Sequence, residues 1–101
     1  MQYLLHPAVQ KFIVELPTEL QNKVAKQLMF LEKFGRLLPP PDSKKISKNL
    51  LELRVAGRVQ VRLLYGFVDD MAIVVHGFVK KSQKIPRRDI ELAHRRFREV
   101  A

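Results

Sequence analysis

Arg54 and Arg62 lie eight positions apart on two neighbouring runs of alternating residues, beside Glu52 and Gln60. Lys80, Lys81 and Lys84 follow a third such run. A guanidinium fork matches two phosphate oxygens at once, and an ammonium adds a compact positive charge. Cleavage of a phosphodiester by the adjacent ribose hydroxyl needs a base, cations around the phosphate and an acid for the leaving oxygen. Arg54 and Arg62 suit the phosphate. A lysine among Lys80, Lys81 and Lys84 could move a proton, because neighbouring cations favour its neutral amine. Glu52 either orients Arg62 or acts as base; orientation is preferred, since an arginine partner lowers carboxylate basicity. The competing roles are an ion-pair ladder around Glu52 and a solvated lysine turn.

Little else in the chain is reactive. There is no cysteine, hence no disulfide, thiolate nucleophile or cysteine-held metal. His6, His76 and His94 lack metal-ligand spacing. His76 is expected on the core face as an interior imidazole, with Tyr65. Neither a glycine-rich phosphate loop nor G-x-S-x-G occurs. No metal and no cofactor are expected. No apolar run approaches the roughly 20 residues of a membrane span, and nothing resembles a signal peptide. A cytoplasmic protein that does not engage a membrane is expected.

Charge points to a polyanion. Nineteen Lys and Arg oppose ten Asp and Glu, a net of +9. The excess is divided: residues 36–62 and 79–101 each carry +5, whereas 63–78 carry −2. Folding that joins the two basic blocks makes a positive cleft suited to a nucleic-acid backbone. The wider set of expected RNA contacts is Lys44, Lys45, Lys48, Arg58, Gln60, Arg87 and Arg88.

These residues need a scaffold, and 101 residues supply one domain with one core. Val9, Phe12, Ile13 and Leu16 mark a helix over 8–16. Thr18 and Gln21 have capping-box spacing before a second helix that Gly35 ends. Leu38 to Lys48, with Pro39, Pro40 and Pro41, reads as a loop. Strands are expected near Leu50–Val55, Val59–Val68 and Met71–Val79, with Gln2–Leu5 as a candidate edge strand. A three-residue loop at Ala56-Gly57-Arg58 sets Val55 against Val59 and Leu53 against Val61. It also sets Glu52 against Arg62. A two-residue turn at Asp69-Asp70 sets Arg62 against Gly77, leaving space beside the arginine. A last helix begins near Pro86 and buries Ile90, Ala93 and Phe97.

The segments L-E-L-R at 51–54, R-L-L-Y at 62–65, H-G-F-V-K-K-S-Q-K-I-P at 76–86 and E-L-A-H-R-R at 91–96 resemble the RelE/ParE toxin superfamily. F-G-R-L-L-P at 34–39 adds to the likeness, which is strongest to the HigB-like, phage-derived branch. The resemblance implies a RelE-like α+β fold. In it a small twisted antiparallel sheet of three to four strands packs against an N-terminal helical hairpin, with a C-terminal helix. It implies the toxin of a type II toxin–antitoxin pair that cuts messenger RNA in the A site of the 70S ribosome, by 2′-hydroxyl attack without metal. A cognate antitoxin, helix-turn-helix and HigA-like, would mask the site in an oligomeric complex. Arg62 matches the family's phosphate-stabilising arginine, and Lys80 and Lys81 its basic pair. Glu52 stands where other members have lysine, and no tyrosine follows Tyr65, so the base stays open among residues such as Lys84 and His76. Two alternatives remain: inhibition of DNA gyrase, as by ParE-like relatives, and non-enzymatic binding of nucleic acid or ribosome.

Overall fold

The alternating runs after Leu50 fold into three antiparallel strands: β3 (Leu50–Val55), β4 (Gln60–Val68) and β5 (Met71–Lys80). The computed structural model describes residues 1–101. The sheet is larger than expected. β1 (Gln2–Leu5) joins β5 in parallel and β2 (Ser43–Ser47) joins β3 antiparallel. The result is a mixed five-stranded sheet in the order β1-β5-β4-β3-β2, not an antiparallel sheet of three to four strands.

Helices cover both faces. α1 (Pro7–Val14) and α2 (Thr18–Phe34) pack on one face. Val9, Val24, Leu28 and Leu31 meet Leu53, Val55, Val61, Leu63, Tyr65 and Val74 there. α3 (Arg87–Val100) covers part of the other, where Ala93 and Phe97 meet Leu50, Leu64, Ile73, Val75 and Phe78. A Cβ on Gly66 would lie 2.5 Å from both Phe97 and the Asn49 carbonyl oxygen, so glycine sets how closely α3 approaches β4.

The start of α2 is simpler than expected. Thr18 makes no side-chain cap; Pro17 precedes the helix. Gln21 instead donates to the Val14 and Leu16 carbonyls, at 3.1 and 2.7 Å, and pins the turn between α1 and α2. Gly35 ends α2 with φ of 53°, a conformation that suits a residue without Cβ.

Two registers differ from expectation. β3 and β4 pair with Val55 opposite Val61, Leu53 opposite Leu63 and Arg54 opposite Arg62. Glu52 therefore faces Leu64, not Arg62. The slip is two residues, so every side chain keeps its face while changing its partner. Val59 falls in the loop, 40% exposed. Along β4 and β5, pairing shifts after Tyr65–Val74, with Leu64 opposite His76. This bulge moves Arg62 opposite Phe78. Gly77 lies opposite Leu63, and its bare face receives the ring of Phe12, not the arginine. The bulge also turns His76 to the α3 side, away from Tyr65. There its Nε2 lies 2.6 Å from Asp89 Oδ1.

Candidate functional site

β3 brings Glu52 and Arg54 to one face two residues apart, and β4 brings Arg62 directly opposite Arg54. Two arginines facing each other across a ladder repel. Glu52 offsets that repulsion by reaching both. Its Oε1 lies 3.0 Å from Arg54 Nε, and its Oε2 lies 3.3 Å from Arg62 Nε. The second contact is an ion pair without hydrogen-bond alignment. Glu52 is 1% exposed, so the cluster is a buried anion holding two cations, with one positive charge in excess.

The two arginines are not equivalent. Arg54 is 32% exposed and presents its free nitrogens to solvent. Arg62 is 7% exposed. Its Nη1 donates to its neighbour's carbonyl, Val61 O, at 3.0 Å, and its Nη2 donates to Gln60 Oε1 at 2.6 Å. Burial pushes its pKa down, and so does Arg54, while Glu52 opposes both. An arginine remains protonated through such a shift.

A cleft of about 430 Å³ opens over this cluster. Arg54, Gln60 and Arg62 line it together with Lys23, Lys26 and Gln27 of α2 and with Pro41 and Asp42. Gln27 braces the wall by donating to the Arg54 carbonyl at 2.7 Å and to Asp42 Oδ1 at 3.1 Å. Gln60 also belongs to an adjoining basin of about 390 Å³ with Lys80, Lys81, Ser82 and Gln83. Gln60 and Lys80 are ladder partners. The arginine pair and the Lys80–Lys81 pair thus share one rim.

The other expected contacts disperse. Lys44 stands on the edge strand opposite Glu52. Lys45 and Lys48 line a separate basin near Arg36. Arg58 is exposed in the β3–β4 loop. Lys84 is exposed, and its carbonyl accepts from the Ser82 hydroxyl. Arg87 pairs with Glu91 at 3.2 Å in solvent, and Arg88 is exposed beside it. None of these residues lines the arginine cleft. Lys23 and Lys26 do, although nothing in the sequence singles them out. Their three-residue spacing puts both on one helix face, but nothing local to α2 reveals that this face meets the end of β3.

Residues 11–98 match the family described as Phage derived protein Gp49-like (DUF891). The chain belongs to this Gp49-like family. The matched region of this family member begins in α1 and ends within α3, so it includes every residue of the arginine cleft and of the adjoining lysine basin. No curated protein matches the chain. No three His, Asp or Glu side chains converge as a metal site, and no helix is long and apolar enough to cross a membrane.

Proposed function

We propose that this Gp49-like protein is the toxin of a toxin–antitoxin pair and cuts messenger RNA in the ribosomal A site. The observation that carries this reading is the charged cluster at the cleft: two arginines fixed by one buried carboxylate, on a rim shared with Lys80 and Lys81. The resemblance to HigB-like members of the RelE superfamily supports it.

Each residue has a role in such a reaction. The ribose 2′-hydroxyl gives its proton to solvent water as its oxygen attacks the adjacent phosphorus, and the bond to the 5′-oxygen breaks. The products are a 2′,3′-cyclic phosphate and a 5′-hydroxyl. Negative charge grows on the phosphoryl oxygens, where fixed cations stabilise it more than they stabilise the ground state. Arg54, as the accessible fork, takes those oxygens, with Lys23 and Lys26 across the cleft. Arg62 lies beneath and adds its field; it engages the phosphate directly when Gln60 swings away. Lys80 gives a proton to the departing 5′-oxygen. Glu52 positions the arginines and is unavailable as a base, because both oxygens face guanidinium groups. The partners on this reading are the 70S ribosome, its message and an antitoxin of the HigA-like, helix-turn-helix kind that covers the cleft in an oligomeric complex.

Expression in a bacterium tests the reading. Translation should stop, and translated messages should carry cuts phased to codons. Growth arrest with intact messages and accumulated gyrase–DNA cleavage complexes would replace it with gyrase inhibition. Ribosome binding with neither product would leave a non-enzymatic binder.

A further inference from the structure

A second cationic basin lies at the opposite end of the sheet from the arginine cleft. Arg36, Lys45, Lys48, Asn49, Leu51 and Phe67 line about 290 Å³ on the α1–α2 side. Phe67 is seven positions along β4 from Gln60, roughly 23 Å at the rise of a strand.

Three local devices assemble it. Gly35, at φ of 53°, ends α2 and turns the chain back over the sheet. Arg36 then lies 4.4 Å from the centre of the Phe67 ring, and its Nη2 donates to the Asp69 carbonyl at 2.8 Å. The guanidinium is thereby held in place before any ligand arrives. The third device is a bulge in β2 between Lys45 and Ser47. Ile46 packs into the core under α3, and Ser47 Oγ lies 2.9 Å from His94 Nε2 on that same side. Lys45 before the bulge and Lys48 after it both emerge beside Arg36.

The charges here are unbalanced. None of Arg36, Lys45 and Lys48 takes part in an ion pair. No carboxylate lines the basin. Asp69 offers Arg36 a backbone oxygen, not its side chain. Three cations converging without an anion repel one another, and a polyanion relieves that repulsion.

We propose that this basin is a second RNA site that grips the phosphate backbone of a double helix, separate from the cleft that takes the substrate strand. Single-stranded RNA is recognised by stacking bases on aromatic faces. The one aromatic ring here already has Arg36 over it. Duplex RNA is recognised by phosphate and 2′-hydroxyl contacts, which a fixed guanidinium, two lysines and an asparagine amide can make. The proposal extends the RNA reading above, in which the helix is ribosomal RNA flanking the message.

The test is binding of a labelled RNA duplex of about 16 base pairs and of a short single-stranded RNA, across a salt series. The variant Arg36→Gln/Lys45→Gln/Lys48→Gln should weaken duplex binding roughly tenfold or more and flatten the log–log salt slope by about 2–3. Its loss on duplex should exceed its loss on single strand by about fivefold or more. Lys11→Gln/Arg95→Gln/Arg98→Gln removes the same charge elsewhere and should cost less than about threefold. Phe67→Leu keeps every charge but frees Arg36, and should weaken duplex binding about threefold. Equal losses for the two triple variants, or equal losses on both RNAs, would overturn the proposal. If the wild type never cuts a message yet the basin variant still loses duplex selectively, the nuclease reading falls and the duplex site stands. If messages are cut but duplex selectivity is absent, the duplex site falls and the nuclease reading stands.

Discussion

The Gln60 amide oxygen lies 2.6 Å from Nη2 of Arg62 and occupies the end of the fork that a phosphate would use. Both terminal nitrogens of Arg62 therefore donate within the protein, its Nε meets Glu52 without a hydrogen bond, and Arg54 is the arginine open to a ligand. Gln60→Ala should vacate the fork and leave cleavage within about threefold of wild type. Arg54→Ala and Arg62→Ala should each lower it about 100-fold or more, the scale of losing one preorganised charge-stabilising donor. Single-turnover cleavage of a ribosome-bound message measures all three.

Glu52→Gln removes the anion that two facing arginines share. Breaking a buried ion pair by deleting one partner costs about 3–5 kcal/mol, because the remaining charge is stranded. The solvent exposure of Arg54 reduces its part, so a loss of about 3 kcal/mol is expected in urea unfolding. Glu52→Gln/Arg62→Met should recover part of it, since an apolar pair replaces an unpaired charge.

Tyr65 gives the fold a pH dependence at the alkaline end. Its hydroxyl is 2.9 Å from Ser43 Oγ, deep under α2. Burial raises its pKa above 10.0, with the Ser43 hydrogen bond opposing. Ionisation is thus harder in the folded state than in the unfolded one. The resulting stability is fully present below pH 10 and is lost as pH rises through the folded value. Urea midpoints measured from pH 8 upward should fall above pH 10, and Tyr65→Phe should flatten that fall.

How much of this could be read in the sequence differs by element. Apolar runs bounded by turn residues marked β3, β4 and β5, most of whose positions are buried or half-buried. β2 escaped notice because Ser43-Lys44-Lys45-Ile46-Ser47 has a single apolar residue and follows three prolines; as an edge strand it needs few. The bulge near Val75 was hidden because Ala72 to Val75 are all apolar and all buried, so side-chain pattern cannot fix their parity. Within the site, parity groups Arg54, Arg62 and Glu52 on one face, as the structure does, although the partner across the ladder differs by two residues. Lys23 and Lys26 required knowing which helix face meets which strand end.

His76 and Asp89 join β5 to the first turn of α3, and Arg96 Nη1 approaches His76 Nδ1 at 3.4 Å. Lys80, Lys81 and Lys84 lie between the two anchored residues. His76→Ala and Asp89→Ala should show a coupling energy of about 1–2 kcal/mol in a double-mutant cycle of unfolding. Either change should also slow message cleavage, by loosening the lysine turn, without abolishing ribosome binding.

The chemistry of the cut ends tests the central claim most directly. Purified protein, ribosomes programmed with a message and their usual magnesium should yield a 5′-hydroxyl on one fragment and a 2′,3′-cyclic phosphate on the other. Arg54→Ala/Arg62→Ala should yield neither. Fragments bearing 5′-phosphates, or a message that stays whole with wild-type protein seated on the ribosome, would contradict the account.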